Sequence, residues 1–215
     1  MNEQQRKSEI FNVVWRACDT FRGVIGPSMY KDYILTMLFV KYLNDIRNYK
    51  LTEFDKKYSG DKLRIERVMA RERFIVDEEA SFDYLHAHRN DSDIGQTINT
   101  VLENIEDANK AKLHNVFRNI DFNSEANLGQ TRQRNNCLKN LLEDITALDL
   151  KPDNNGDMDI IGDVYEYLIE KFAASAGKKA GEFYTPAEVS ETLARLVAPK
   201  RETASAIRLA APVHF

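Results

Sequence analysis

The chain has 215 residues and a mass of 24.8 kDa, room for one or two domains with a substantial core. Hydrophobic residues make up 43% and charged residues 30%, which excludes a disordered tail, a collagen-like fibre and a coiled-coil rod. With 30 basic against 34 acidic side chains the net charge is −4, so any contact with nucleic acid must come through a local patch or beside a partner.

Five prolines and nine glycines predict short loops and long helices. From Glu9 to Arg22 apolar residues recur at Ile10, Val13, Val14, Ala17, Cys18 and Phe21, one face of an amphipathic helix. Gly23 to Pro27 interrupts it. Ser28 suits the N-cap of a second helix reaching about Tyr49. Its apolar residues, from Met29 through Tyr33, Ile34, Met37, Leu38 and Val40 to Leu43, cover more than one face, so it is expected to be central. The most apolar stretch, Ile34 to Leu43, is broken by Lys41 and too short to span a bilayer.

Residues 51–75 read as one or two shorter helices around Ser59-Gly60-Asp61. Residues 74–91 have no clear period and suit a loop or a short strand. Asp93 can cap a helix with Ile94, Ile98, Val101, Leu102 and Ile105 on one face. Leu113, Val116, Phe117 and Ile120 suggest another short helix. After a polar loop over 123–135, Leu138, Leu141, Leu142 and Ile145 mark a further one. Lys151 to Asp157 carries turn residues and almost nothing apolar, the best linker in the chain. Ile160 to Ala174 is again strongly helical. A small, basic, glycine-containing loop, Ala176 to Gly181, precedes a helix from Pro186 to about Ala198, with Val189, Leu193, Leu196 and Val197 on one face and Thr185 at its N-cap. The chain therefore reads as mainly α.

Cys18 and Cys137 lie in apolar helical patterns and read as reduced core thiols, consistent with a cytoplasmic protein. The polar N-terminus is not a signal peptide. His86-x-His88, His114 and His214 have no ligand partners in sequence, so no metal site is expected. Asp153, Asp157, Asp159 and Asp163 do not follow calcium-loop spacing and fit a solvated linker and helix start. Lys62, Arg64, Arg67, Arg71 and Arg73 form the densest basic run. Arg64, Arg67 and Arg71 fall on one helical face, interleaved with Asp61, Glu66 and Glu72, so both a solvated, ion-paired face and a phosphate-contacting face fit. Gly181-Glu182-Phe183-Tyr184-Thr185-Pro186-Ala187 combines a glycine, two aromatics and a helix start whose free N–H groups could meet a ligand.

Two blocks carry a family resemblance. The first is Trp15-Arg-Ala-Cys-Asp19 with Phe21-Arg-Gly23, Tyr30-Lys-Asp-Tyr-Ile34 and Leu38-Phe-Val-Lys-Tyr-Leu-Asn-Asp45. The second is Gly162-Asp-Val-Tyr-Glu-Tyr-Leu168 followed by Gly181-Glu-Phe-Tyr-Thr-Pro186. In order and spacing they resemble the modification subunit of type I restriction–modification systems, a DNA N-6 adenine methyltransferase. The resemblance implies a helical N-terminal domain over 1–150, a linker over 151–158, and over 159–215 the first helices of a truncated α/β methyltransferase domain. It implies S-adenosylmethionine as cofactor, with Glu182, Phe183, Tyr184, Thr185, Pro186 and Ala187 helping to bind it. It also implies a specificity subunit, a second methyltransferase subunit, a restriction subunit and double-stranded DNA as partners. Arg64, Arg67 and Arg71 are the DNA-contact candidates.

The chain departs from the family pattern after about Pro199. Where a glycine-rich cofactor turn is expected, it reads Ala206-Ile-Arg-Leu-Ala-Ala-Pro-Val-His-Phe215, and the Asn-Pro-Pro-Phe type catalytic motif is absent. The expectation is that this chain alone is inactive and binds cofactor weakly or not at all. The competing expectation is a non-enzymatic all-α module for subunit and DNA contact.

Overall fold

The computed structural model describes residues 3–21, 27–152, 159–175 and 187–197, and the architecture is mainly α, with no strand among them. Contacts divide the chain into two compact units, Met1–Tyr165 and Glu166–Phe215.

The first unit opens with α1 (Glu3–Phe21) and the 32-residue α2 (Pro27–Tyr58). They are followed by α3 (Lys62–Met69), a 3₁₀ turn at Glu78–Ala80, α4 (Phe82–Ala87), α5 (Ile94–Ala108) and α6 (Lys110–Leu113). Then come α7 (Glu125–Leu128), α8 (Thr131–Thr146) and α9 (Ile160–Ser175), the last crossing into the second unit. α8 is the hub, packing on α1, α2, α4, α5 and α7. It can be one because Leu138, Leu141, Leu142 and Ile145, spaced by three and four, are all fully buried. Each such side chain contributes roughly 1.5–3 kcal/mol by leaving water. The predicted face of α1 is buried from Ile10 to Phe21, as is that of α5 from Ile94 to Ile105.

α5 owes its close seat to Gly95. A Cβ there would lie 2.5 Å from the Phe122 carbonyl oxygen and 3.2 Å from the Asn123 Cα. Phe122 is fully buried and meets Tyr33 edge-on at 5.0 Å, while Tyr33 in turn stacks on Phe21 at 6.1 Å. The Tyr33 hydroxyl donates to the Asp121 carbonyl (3.1 Å) and accepts from Asn127 Nδ2 (3.3 Å), so a buried polar tip is satisfied.

Several predicted boundaries move. α2 does not end near Tyr49. Residues 50–58 contain neither Gly nor Pro, and the helix continues after its apolar face gives out. It closes only where Ser59 turns left-handed (φ 52°) and the Gly60 N–H reaches back to the Asp55 carbonyl at 3.1 Å. Over 74–91 there is no strand, but a 3₁₀ turn and α4, whose N-cap Ser81 accepts from the Tyr84 N–H. The short helix expected over 113–120 stops at Leu113, because Asn115 adopts φ 61°. The polar loop over 123–135 holds α7 and the start of α8. Ser28 lies inside α2 rather than at its cap. Asp93 occupies the N-cap of α5 without a side-chain cap bond, whereas Asp61 caps α3 by accepting from the Arg64 N–H. Of the linker, 153–158 lies outside the described residues, and Asp159 takes the Gly162 N–H at 3.0 Å as the first cap of α9.

The second unit holds the end of α9 and α10 (Ala187–Val197). On α10, Val189, Leu193, Leu196 and Val197 are exposed, and Glu191 pairs with Arg195 across one turn at 2.5 Å.

Candidate nucleic-acid interface

Lys41, read from sequence as an interruption, is buried. Its ammonium meets Asp45 Oδ1 at 2.6 Å, one helical turn on, and lies 5.7 Å from the centre of the Phe82 ring. The other Asp45 oxygen accepts the Leu150 N–H at 2.8 Å. Asn44 Oδ1 accepts the Asp83 N–H (3.4 Å), and Arg47 donates to the Val76 carbonyl (2.9 Å). This polar face of α2 ties down α4, the 72–77 segment and the chain just ahead of residue 151. It thereby positions the outer half of α2.

That outer half and α3 form a basic edge. Arg64 and Arg67 are exposed on α3; Arg71 lies beyond the Ala70 C-cap in the following turn, so the three do not share one helix. Among the described residues none of the three makes an ion pair. The Arg64 guanidinium lies 4.4 Å from the centre of the Tyr58 ring, and the Lys57 ammonium is 5.6 Å from the same centre. Each such pairing is worth about 0.5–1 kcal/mol at an exposed site. Tyr58 therefore joins the last turn of α2 to the first turn of α3 as one cationic surface.

On the α2 side lies a cleft of about 890 Å³, walled by Lys50, Glu53, Phe54, Lys56 and Lys57 from α2 and by Lys151 from far along the chain. The sequence pattern, whose densest basic run is Lys62 to Arg73, does not mark it. Lys50, Glu53, Phe54 and Lys57 are spaced by three and four and were findable as one helical face, but the approach of Lys151 is a property of the fold.

His86 and His88 serve the packing around α4. His88 Nδ1 lies 2.9 Å from the Tyr84 carbonyl, with its ring 4.1 Å from that of Tyr84. Burial, with the Arg89 charge second, holds His86 below the ordinary histidine range. Of the predicted cofactor segment, Glu182, Phe183, Tyr184, Thr185 and Pro186 lie outside the described residues, and Ala187 is the first residue of α10. The Thr185 cap lies outside them too.

A family model described as the HsdM N-terminal domain matches residues 10–145, and one described as N-6 DNA Methylase matches residues 156–207. The chain belongs to the methyltransferase subunits of type I restriction–modification systems. Among related methyltransferase subunits, it is 29% identical to the type I restriction enzyme MpnII methylase subunit of Mycoplasma pneumoniae, over 93% of this chain and 41% of that protein. It is 26% identical to the MjaVIII methylase subunit of Methanocaldococcus jannaschii, over 92% of this chain and 33% of that one. The crystal structure of a type I restriction-modification system methyltransferase subunit from Streptococcus thermophilus superposes with a TM-score of 0.68 at 25% identity, covering 91% of this chain and 45% of that one. The chain thus spans less than half the length of these methyltransferase subunits. No described helix is long and apolar enough to cross a membrane.

Proposed function

We propose that this chain is the N-terminal portion of a modification subunit whose full form transfers a methyl group from S-adenosylmethionine to the exocyclic amine of adenine in double-stranded DNA, in the cytoplasm. The target base would be flipped out of the stack to be reached. The observation that carries this reading is the succession of two family matches, a helical-domain match over 10–145 and a methylase match over 156–207. On this reading residues 1–150 are a helical domain, 151–158 a linker, and 159–215 the start of the methyltransferase domain. Glu182 to Ala187 would hold the cofactor, which supplies the methyl group. The helical domain meets the specificity subunit and DNA, with Arg64, Arg67 and Arg71 toward the phosphates. A second methyltransferase subunit and a restriction subunit complete the assembly.

The test is methyl transfer to duplex DNA in the presence of the specificity subunit. The 215-residue chain is expected to give background incorporation, and the same sequence within a subunit of its relatives' length is expected to methylate. Tyr184→Ala and Thr185→Ala in the longer form should weaken cofactor binding by calorimetry; unchanged affinity would remove the loop from the cofactor site. If the longer form binds the specificity subunit and DNA yet never methylates, an all-α interaction module is the better reading.

A further inference from the structure

We propose that the lysine cleft at the end of α2 grips the sugar–phosphate backbone of double-stranded DNA independently of base sequence. The proposal rests on the reading of DNA as the subunit's substrate and adds a site to it.

Lys50, Lys56, Lys57 and Lys151 line the cleft, and among the described residues that line it Glu53 is the one carboxylate. That local excess stands out on a chain whose net charge is −4. The negative end of the α2 dipole accounts for Lys56 and Lys57 in its last turn, since cations are favoured there. It does not account for Lys50, two turns earlier, or for Lys151, brought in from 94 residues beyond Lys57. The ion pair available to Lys50 is with Glu53 at 3.5 Å. Both side chains are about a third to a half exposed, so that pair is weak and exchangeable for a phosphate.

The charge of the lining favours a polyanion, and lysine, a point charge on a flexible stem, meets phosphate oxygens without fixed angles. Phe54, with the Lys50 ammonium 5.8 Å from its ring centre, gives the cleft an apolar wall suited to deoxyribose rather than to a second row of charges. Lys57 of the cleft and Arg64 of α3 both lie over the Tyr58 ring, so a second cationic contact on α3 adjoins the cleft.

The test is fluorescence anisotropy of the 215-residue chain on two labelled duplexes of unrelated sequence, across a salt series. Lys50→Gln, Lys56→Gln and Lys57→Gln together keep good helix formers and remove three charges. Affinity for both duplexes should fall alike, and the slope of log affinity against log salt should shrink by about 0.9 for each phosphate no longer neutralised. Lys151→Gln, outside the helices, should free about one phosphate and guards against a triple variant that fails to fold. An unchanged slope in both variants overturns the proposal. So does loss of specificity-subunit binding with the slope unchanged, which would make the cleft a protein interface. The two readings fail separately: a methylating full-length complex with an unaltered slope sinks the cleft alone, and a salt slope that responds without any methylation sinks the enzyme reading alone.

Discussion

Asp45 in α2 accepts the backbone N–H of Leu150 at 2.8 Å across 105 residues of sequence, while its second oxygen holds the buried Lys41 ammonium. One carboxylate thus ties the chain at Leu150 to the middle of α2. Asp45→Ala would strand a buried cation and an N–H together, and is expected to cost about 3–5 kcal/mol in urea unfolding. Lys41→Met with Asp45→Asn removes both charges and keeps an acceptor for Leu150, so it should cost clearly less. Equal losses in the two variants would show that the pair does not act as a unit.

Gly95→Ala should destabilise the domain although alanine is the better helix former by about 1 kcal/mol. The new methyl would meet backbone, the Phe122 carbonyl at 2.5 Å, which cannot swing aside like a side chain. Overpacking of this kind costs about 1–3 kcal/mol. A melting temperature at or above that of the parent chain would contradict the close seat of α5.

Ser59→Gly should do the reverse. Ser59 sits at φ 52°, where an L-residue is strained and glycine is not. Relief of that strain, offset by the extra freedom of the unfolded chain, is expected to stabilise by up to about 1 kcal/mol. Because the strain exists only if α2 closes at Tyr58, a destabilised variant would place the helix end elsewhere.

The His86 imidazole is held below the ordinary histidine range, first by burial and then by the Arg89 charge. As pH falls from the ordinary histidine value toward the lowered one, the unfolded chain takes up a proton that the folded chain refuses. Stability is therefore lost through that window and is level on either side of it. His86→Gln should flatten this part of the profile, read as urea midpoints between about pH 5 and 7.5; parallel profiles for the two proteins would rule His86 out as the source.

Burial pushes the Cys137 thiol up, and its Sγ lies 3.6 Å from the Thr20 carbonyl. Since the thiolate is the nucleophile, native Cys137 should be alkylated much more slowly than in urea. Mass spectrometry of a Cys18→Ala chain isolates the site, and equal rates in the two states would mean that α1 and α8 do not cover it.

Elements with strong three–four periodicity were legible in the sequence. The buried faces of α1, α5 and α8 coincide with the predicted ones, because burial is what such spacing encodes. Where packing stops, the pattern stops while the helix does not, and so the outer residues of α2 read as a separate short helix rather than as its continuation. The break at Ser59-Gly60 falls where the sequence places one, whereas the left-handed Asn115 ends a helix inside a run whose apolar spacing suggests that it continues. Lys41 shows a third limit. A cation inside an apolar run reads as a break until its partner four residues on is seen to be buried with it. The arginines of the candidate interface stood out by density, whereas the cleft required Lys151 to arrive from another part of the chain.

α2 runs 32 residues without an internal proline or glycine, about 48 Å at 1.5 Å per residue. Its inner half is clamped by core side chains from Tyr30 to Asp45, and its outer half carries the lysines. Such a rod transmits load as tilt rather than as bending. The helix that carries the lysines is the same one that α1 and α8 pack against and that holds Leu150 through Asp45. The helix is a lever with its fulcrum in the core, and the chain leading toward residue 151 is fastened at the fulcrum.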